Sequence, residues 1–94
     1  MRENKVQTKV LKYLRSLKIY VIKIIICNDT GVADIICCVK GRFVAIEMKA
    51  PGKINNTSPK QDYHRKKVLE SGGISFVADS LEKVEEVIEV LMKT

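Results

Sequence analysis

Apolar positions near the start of the chain recur at helical spacing. Val6, Val10, Tyr13, Leu14 and Leu17 fall on one face of a helix expected over residues 3–18. Arg2, Lys5, Lys9 and Lys12 repeat at three and four residues and form a basic stripe on that helix. Glu3 stands in its first turn, where the helix macrodipole favours an acid. The pattern then changes. Tyr20 to Cys27 is a β-branched apolar run and reads as a strand, closed by the turn cluster Asn28-Asp29-Thr30-Gly31. Residues 34–49 read as a hairpin turning at Lys40-Gly41. Ile35, Cys37, Val39, Val44 and Ile46 lie on one face, and Ile36, Cys38, Phe43 and Ala45 on the other. Both faces are apolar, so helices are expected to cover both.

Ala50 to Ser58 has no apolar period and reads as a loop. Ser58-Pro59-Lys60-Gln61 is a helix start, with Ser at the N-cap, Pro at N1 and Gln at N3. That helix is expected to run to about Ser71 and stop at Gly72-Gly73. Ile74 to Ala78 reads as a fourth strand. Asp79 or Ser80 then caps a last helix with Leu81, Val84, Val87, Ile88 and Leu91 on one face. The expectation is one α/β domain over residues 1–94, in the order α-β-β-β-α-β-α.

The hairpin carries the chemistry. With Lys40 and Gly41 as the loop, Val39 pairs with Arg42, and the same register sets Asp34 opposite Glu47, about 5 Å apart at Cβ. Two like charges in direct register destabilise a sheet. A divalent cation compensates them, and Mg²⁺ suits one or two protein carboxylates with water and phosphate oxygens. Lys49, two residues past Glu47, lies on the same face. Two carboxylates and an ammonium at one sheet end suit metal-assisted phosphodiester hydrolysis.

Charge and cysteine usage narrow the partners. Residues 1–78 carry 15 Lys and Arg against 6 Asp and Glu, while residues 79–94 carry two against five. A basic body with an acidic last helix fits a polyanion on one side of the molecule. Lys5, Lys9, Lys53, Lys60, Arg65, Lys66 and Lys67 are the candidate phosphate contacts. No apolar run reaches membrane-spanning length, and nothing at the N-terminus resembles a signal peptide, so a cytoplasmic protein is expected. Cys27, Cys37 and Cys38 are odd in number and lack metal-ligand spacing, which speaks against a disulfide framework or a zinc site. His64, the single histidine, is expected on a helix surface, and Gly31 at a tight turn.

The ordered set Gly31-Val-Ala-Asp34, then Val44-Ala-Ile-Glu47-Met-Lys49, then Gln61 on the following helix resembles the PD-(D/E)xK nucleases of restriction-endonuclease-like fold. Within them it is similar to the viral-type replication and repair nucleases, the VRR-Nuc family. The resemblance spans nearly the whole chain. One departure is Ala33, where the family pattern often has Pro before the acid. The resemblance implies that Asp34, Glu47 and the backbone carbonyl of Met48 bind Mg²⁺ or Mn²⁺. Lys49 would orient or activate the attacking water, Gln61 would position Lys49 or the substrate, and Glu3 would match an acidic residue of the family's first helix.

The same resemblance implies a phage or prophage protein acting in the host cytoplasm. It implies a homodimer that cleaves branched DNA in the manner of a Holliday-junction resolvase, without a small-molecule cofactor. A flap or nicking endonuclease of the same fold, and a non-catalytic nucleic-acid-binding module, are the alternatives. Two intact acids and the lysine count against the last.

Overall fold

A computed structural model describes residues 3–94, with side chains from Lys5 onward. Three helices and four strands follow in the expected order: α1 (Glu3–Ser16), β1 (Tyr20–Lys23), β2 (Ile35–Val39), β3 (Arg42–Met48), α2 (Pro59–Glu70), β4 (Ile74–Ala78) and α3 (Leu81–Lys93). The strands form one mixed sheet in the spatial order β1-β2-β3-β4. The first three are antiparallel, and β4 runs parallel to β3 after the α2 crossover.

The hairpin register is as the sequence predicts. Val39 pairs with Arg42, and the ladder runs back to Ile35 opposite Ile46. Lys40 and Gly41 both take positive φ, 53° and 80°, the two-residue turn whose twist matches flanking strands. Asp34 lies one residue before β2, so it is not itself a strand pair.

Period-two alternation sorts the sheet into two faces. Ile35, Cys37, Val39, Val44, Ile46 and Met48 are buried on one face, together with Ala78. Val6, Val10 and Leu14 of α1 and Val84, Ile88 and Leu91 of α3 close over them as one core. The side chain of Arg42 donates from Nη1 to the Leu91 carbonyl at 3.0 Å, tying the hairpin to the last turn of α3, where Thr94 also caps that carbonyl.

The second face departs from expectation. Only α2 lies over it, and α2 buries none of its own residues. Tyr20, Ile22 and Phe43 stay 71%, 41% and 49% exposed, and Cys38 is exposed beside them. The helix is too polar to seal a sheet face: its aliphatic side chains are Val68 and Leu69, and Leu69 stays 54% exposed. The first strand is also shorter than the apolar run suggests. β2 begins at Ile35, opposite Lys23, and the Ile24 N–H reaches the Asp34 carbonyl. Beyond that point the chain has no strand to pair with, and Ile25, Ile26 and Cys27 are exposed. The first helix ends at Ser16, two residues early, and Lys18 takes a left-handed φ of 61°. No helix among the described residues is long and apolar enough to cross a membrane.

Candidate active site

The site forms where β3 runs out toward α2. Alternation turns Glu47 away from the core side that holds Ile46 and Met48, onto the face that α2 overlies, and there it is only 6% exposed. A carboxylate so placed needs donors. Gln61 Nε2 donates to Glu47 Oε2 at 3.0 Å, and Lys49 Nζ lies 4.0 Å from the same oxygen.

Gln61 is the centre of this network. Its Oε1 accepts from Lys49 Nζ at 3.0 Å and from the Ser58 backbone N–H at 3.0 Å. Its own backbone N–H donates to Ser58 Oγ at 3.2 Å, which completes a capping box. Both lone pairs of the amide oxygen are thereby used, and the amide nitrogen faces the one acceptor, Glu47. The capping bonds and the contacts to Lys49 and Glu47 are therefore made by one residue at once.

Asp34 enters from the other side. Its Oδ2 accepts the Met48 backbone N–H at 2.8 Å, and among the described residues no hydrogen bond reaches Oδ1. Along an extended strand the N–H and C=O of one residue point to the same edge. The Met48 carbonyl thus faces the edge where Asp34 stands. Among the described residues no three His, Cys, Asp and Glu side chains gather as a metal cluster. What the strand end offers is two carboxylates and a backbone carbonyl. That all-oxygen donor set fits Mg²⁺ or Mn²⁺ and would suit zinc poorly. The side chain of Glu3 lies outside the described residues.

The helix α2 brings further charge. Asp62, in its first turn, is held below the usual carboxylate range by a hydrogen bond from Thr57 and then by Arg65. Arg65 is engaged with Asp62, and its Nη1 is buried without a hydrogen bond among the described residues. Lys67 pairs with Glu70 at 3.6 Å and stands over the Tyr63 ring at 5.7 Å. Lys53, Lys60 and Lys66 are exposed near the same end. Lys5 and Lys9 sit on α1, in the layer across the sheet, so the predicted basic contacts do not form one patch with the site.

Two residues differ from their sequence reading. His64 is not a free surface residue: its side chain is 24% exposed, and Nε2 lies 3.1 Å from Asp29 Oδ2. Asp29, a turn residue by its sequence, also lies 3.8 Å from Lys60 Nζ. Gly31 does occupy a tight turn, with φ +83°, but it is pressed against α2 as well. A Cβ there would meet the Lys60 backbone at 2.7 Å. A cavity of about 180 Å³ opens between α2 and the sheet, with Gly31, Phe43, Ala45, Glu47, Gln61 and His64 in its walls.

Compared with known proteins, the chain matches no family model and no curated protein.

Proposed function

We propose that this chain is a metal-dependent DNA endonuclease of the restriction-endonuclease-like, VRR-Nuc kind, hydrolysing phosphodiesters in branched DNA. The observation that supports it best is the junction of Glu47, Lys49 and Gln61 at the end of β3, beside an Asp34 carboxylate anchored on Met48.

Asp34 and Glu47, with the Met48 carbonyl, would hold Mg²⁺ or Mn²⁺. When bound, the ion lowers the pKa of water and neutralises charge developing on the phosphate oxygens. Lys49 keeps two of its three N–H donors beyond the one given to Gln61, and these can meet the scissile phosphate or orient the attacking water. Gln61 holds the ammonium by its own amide oxygen, 4.0 Å from Glu47 Oε2. Basic side chains on α2 and the preceding loop would follow the backbone, which suits recognition of shape over base sequence.

A homodimer belongs to the same reading. The uncovered sheet face with Tyr20, Ile22 and Phe43 is an apolar surface that a second copy would bury. Two symmetric sites suit a junction with two symmetric strands.

The test is cleavage of a four-way junction beside linear duplex, flap and single strand, with Mg²⁺, Mn²⁺ or EDTA, for wild type and Asp34→Ala. Paired symmetric nicks, lost with EDTA or the substitution, are the expected result. Cleavage confined to flaps would keep the active site and remove the resolvase. Binding without cleavage of any substrate would overturn the nuclease and leave a binding module.

A further inference from the structure

α2 carries Gln61 and packs against β4 with none of its residues fully buried. The segment 29–34 gives it a second hold. At its start Asp29 meets His64 at 3.1 Å and Lys60 at 3.8 Å, one helical turn apart on α2. Two residues on, Gly31 lies on the Lys60 backbone so closely that no Cβ fits, and Lys60 directly precedes Gln61. At its end Asp34 is bonded to the Met48 N–H on β3. One six-residue strap therefore joins the helix that carries Gln61 to the strand that carries Glu47.

We propose that Asp29 and His64 are positioning residues of this site: with Gly31 seated on Lys60, they clamp α2 so that Gln61 stays bonded to both Glu47 and Lys49. This rests on the site reading given above. Neither residue touches a reacting atom. Asp29 is about half exposed, and a polar contact at such a position adds little to global stability. Its effect is expected in geometry, since a displacement of about 1 Å in a catalytic group can cost about 100-fold in rate.

The clamp is tested on the full chain by the side-chain amide resonances of Gln61 in ¹H–¹⁵N spectra, assigned with Gln61→Ala. Asp29→Ala and His64→Ala should move both protons toward free-amide shifts and speed their exchange with water. His64→Gln, which keeps a donor at that position, should restore the wild-type signature. Glu70→Gln breaks the Lys67–Glu70 pair on the same helix and should change nothing at Gln61. On the DNA substrate that wild type cleaves, kcat should fall several-fold with Asp29→Ala while KM holds. All these positions lie outside the core, so the variants should fold, and far-UV circular dichroism checks it. Unchanged Gln61 resonances in both alanine variants would overturn the clamp. A wild-type chain that cleaves nothing would overturn the nuclease reading instead, and the Gln61 spectra would still decide the clamp.

Discussion

Asp34 accepts the backbone N–H of Met48 at 2.8 Å, so this carboxylate is bound to the last residue of the strand that carries Glu47. Asp34→Asn keeps an acceptor for that N–H and removes only the charge. We expect a folded protein with a melting temperature near wild type, but with Mn²⁺ binding lost by calorimetry. Cleavage should drop about a thousandfold or more, since a metal site is worth several kcal/mol in the transition state. Asp34→Ala should also lose about 1–3 kcal/mol of stability by leaving the Met48 N–H unpaired. An Asp34→Asn protein that binds Mn²⁺ normally would remove Asp34 from the metal site.

The two roles of Gln61 can be separated by choice of substitution. Gln61→Glu preserves the capping box, because Glu serves at N3 as well as Gln. It also turns the donor facing Glu47 into an acceptor. The expected outcome is a helix of normal content, with activity reduced by at least an order of magnitude. Gln61→Ala loses both functions, and urea unfolding should register about 1–2 kcal/mol. Equal activity in the Glu variant and wild type would confine Gln61 to capping.

The parts of this site that were legible in the sequence are those fixed by short-range rules. Period-two alternation and the Lys40-Gly41 turn set the hairpin register, and with it the shared face of Glu47 and Lys49. The Ser58-Pro59-Lys60-Gln61 start put Gln61 at the head of a helix. What could not be read was long-range. Asp29 and His64 are 35 positions apart, and each matches an ordinary local role, turn residue and polar helix residue. The uncovered face was missed for a related reason. Alternation reports that a face is apolar and says nothing of whether this chain supplies its cover. The apolar run through Ile25 and Ile26 extended the predicted β1 because strand propensity ignores where the neighbouring strand begins.

Asp62 gives the acid side of the stability profile. Its carboxyl is held below the usual range by Thr57 and then Arg65. A group whose folded pKa is depressed stabilises the native state above its unfolded value, about 3.9, and that contribution fades as pH falls through the folded value. Urea midpoints of wild type and Asp62→Asn should therefore differ at pH 6 and converge as acid protonates the folded carboxyl. A gap that persists unchanged in acid would show that the charge is not the cause.

Cysteine chemistry should divide cleanly by burial. Cys37 is in the core, and burial, then the Cys38 thiol beside it, push it up to about 11. Cys27 and Cys38 are exposed. At pH 8 a thiol reagent should label Cys27 promptly in native protein, Cys38 promptly only where no second copy covers its sheet face, and Cys37 only on unfolding, as peptide mass mapping would read. Cys37 also fixes a sign at high pH. The unfolded thiol ionises near its ordinary 9.0 while the folded one keeps its proton, so stability should fall between pH 9 and about 11. Cys37→Ser should flatten that decline, and early native labelling of Cys37 would contradict its burial.

The uncovered sheet face makes the last prediction. Tyr20, Cys38 and Phe43 stand side by side across β1, β2 and β3, with Ile22, Ile36 and Ala45 in the next row. Large apolar side chains in adjacent rows of a sheet are expected to be covered, and α2 does not reach Tyr20 or Phe43 closely enough to bury them. Sedimentation equilibrium at tens of micromolar should give twice the chain mass for wild type. Phe43→Glu places charge at the β3 end of that row without touching the core behind Val44, so it should give a folded monomer. If the nuclease works as a symmetric pair, the same variant should nick one strand of a junction and lose the paired second cut. A wild-type chain that remains monomeric on branched DNA would exclude the second copy as the cover of this face.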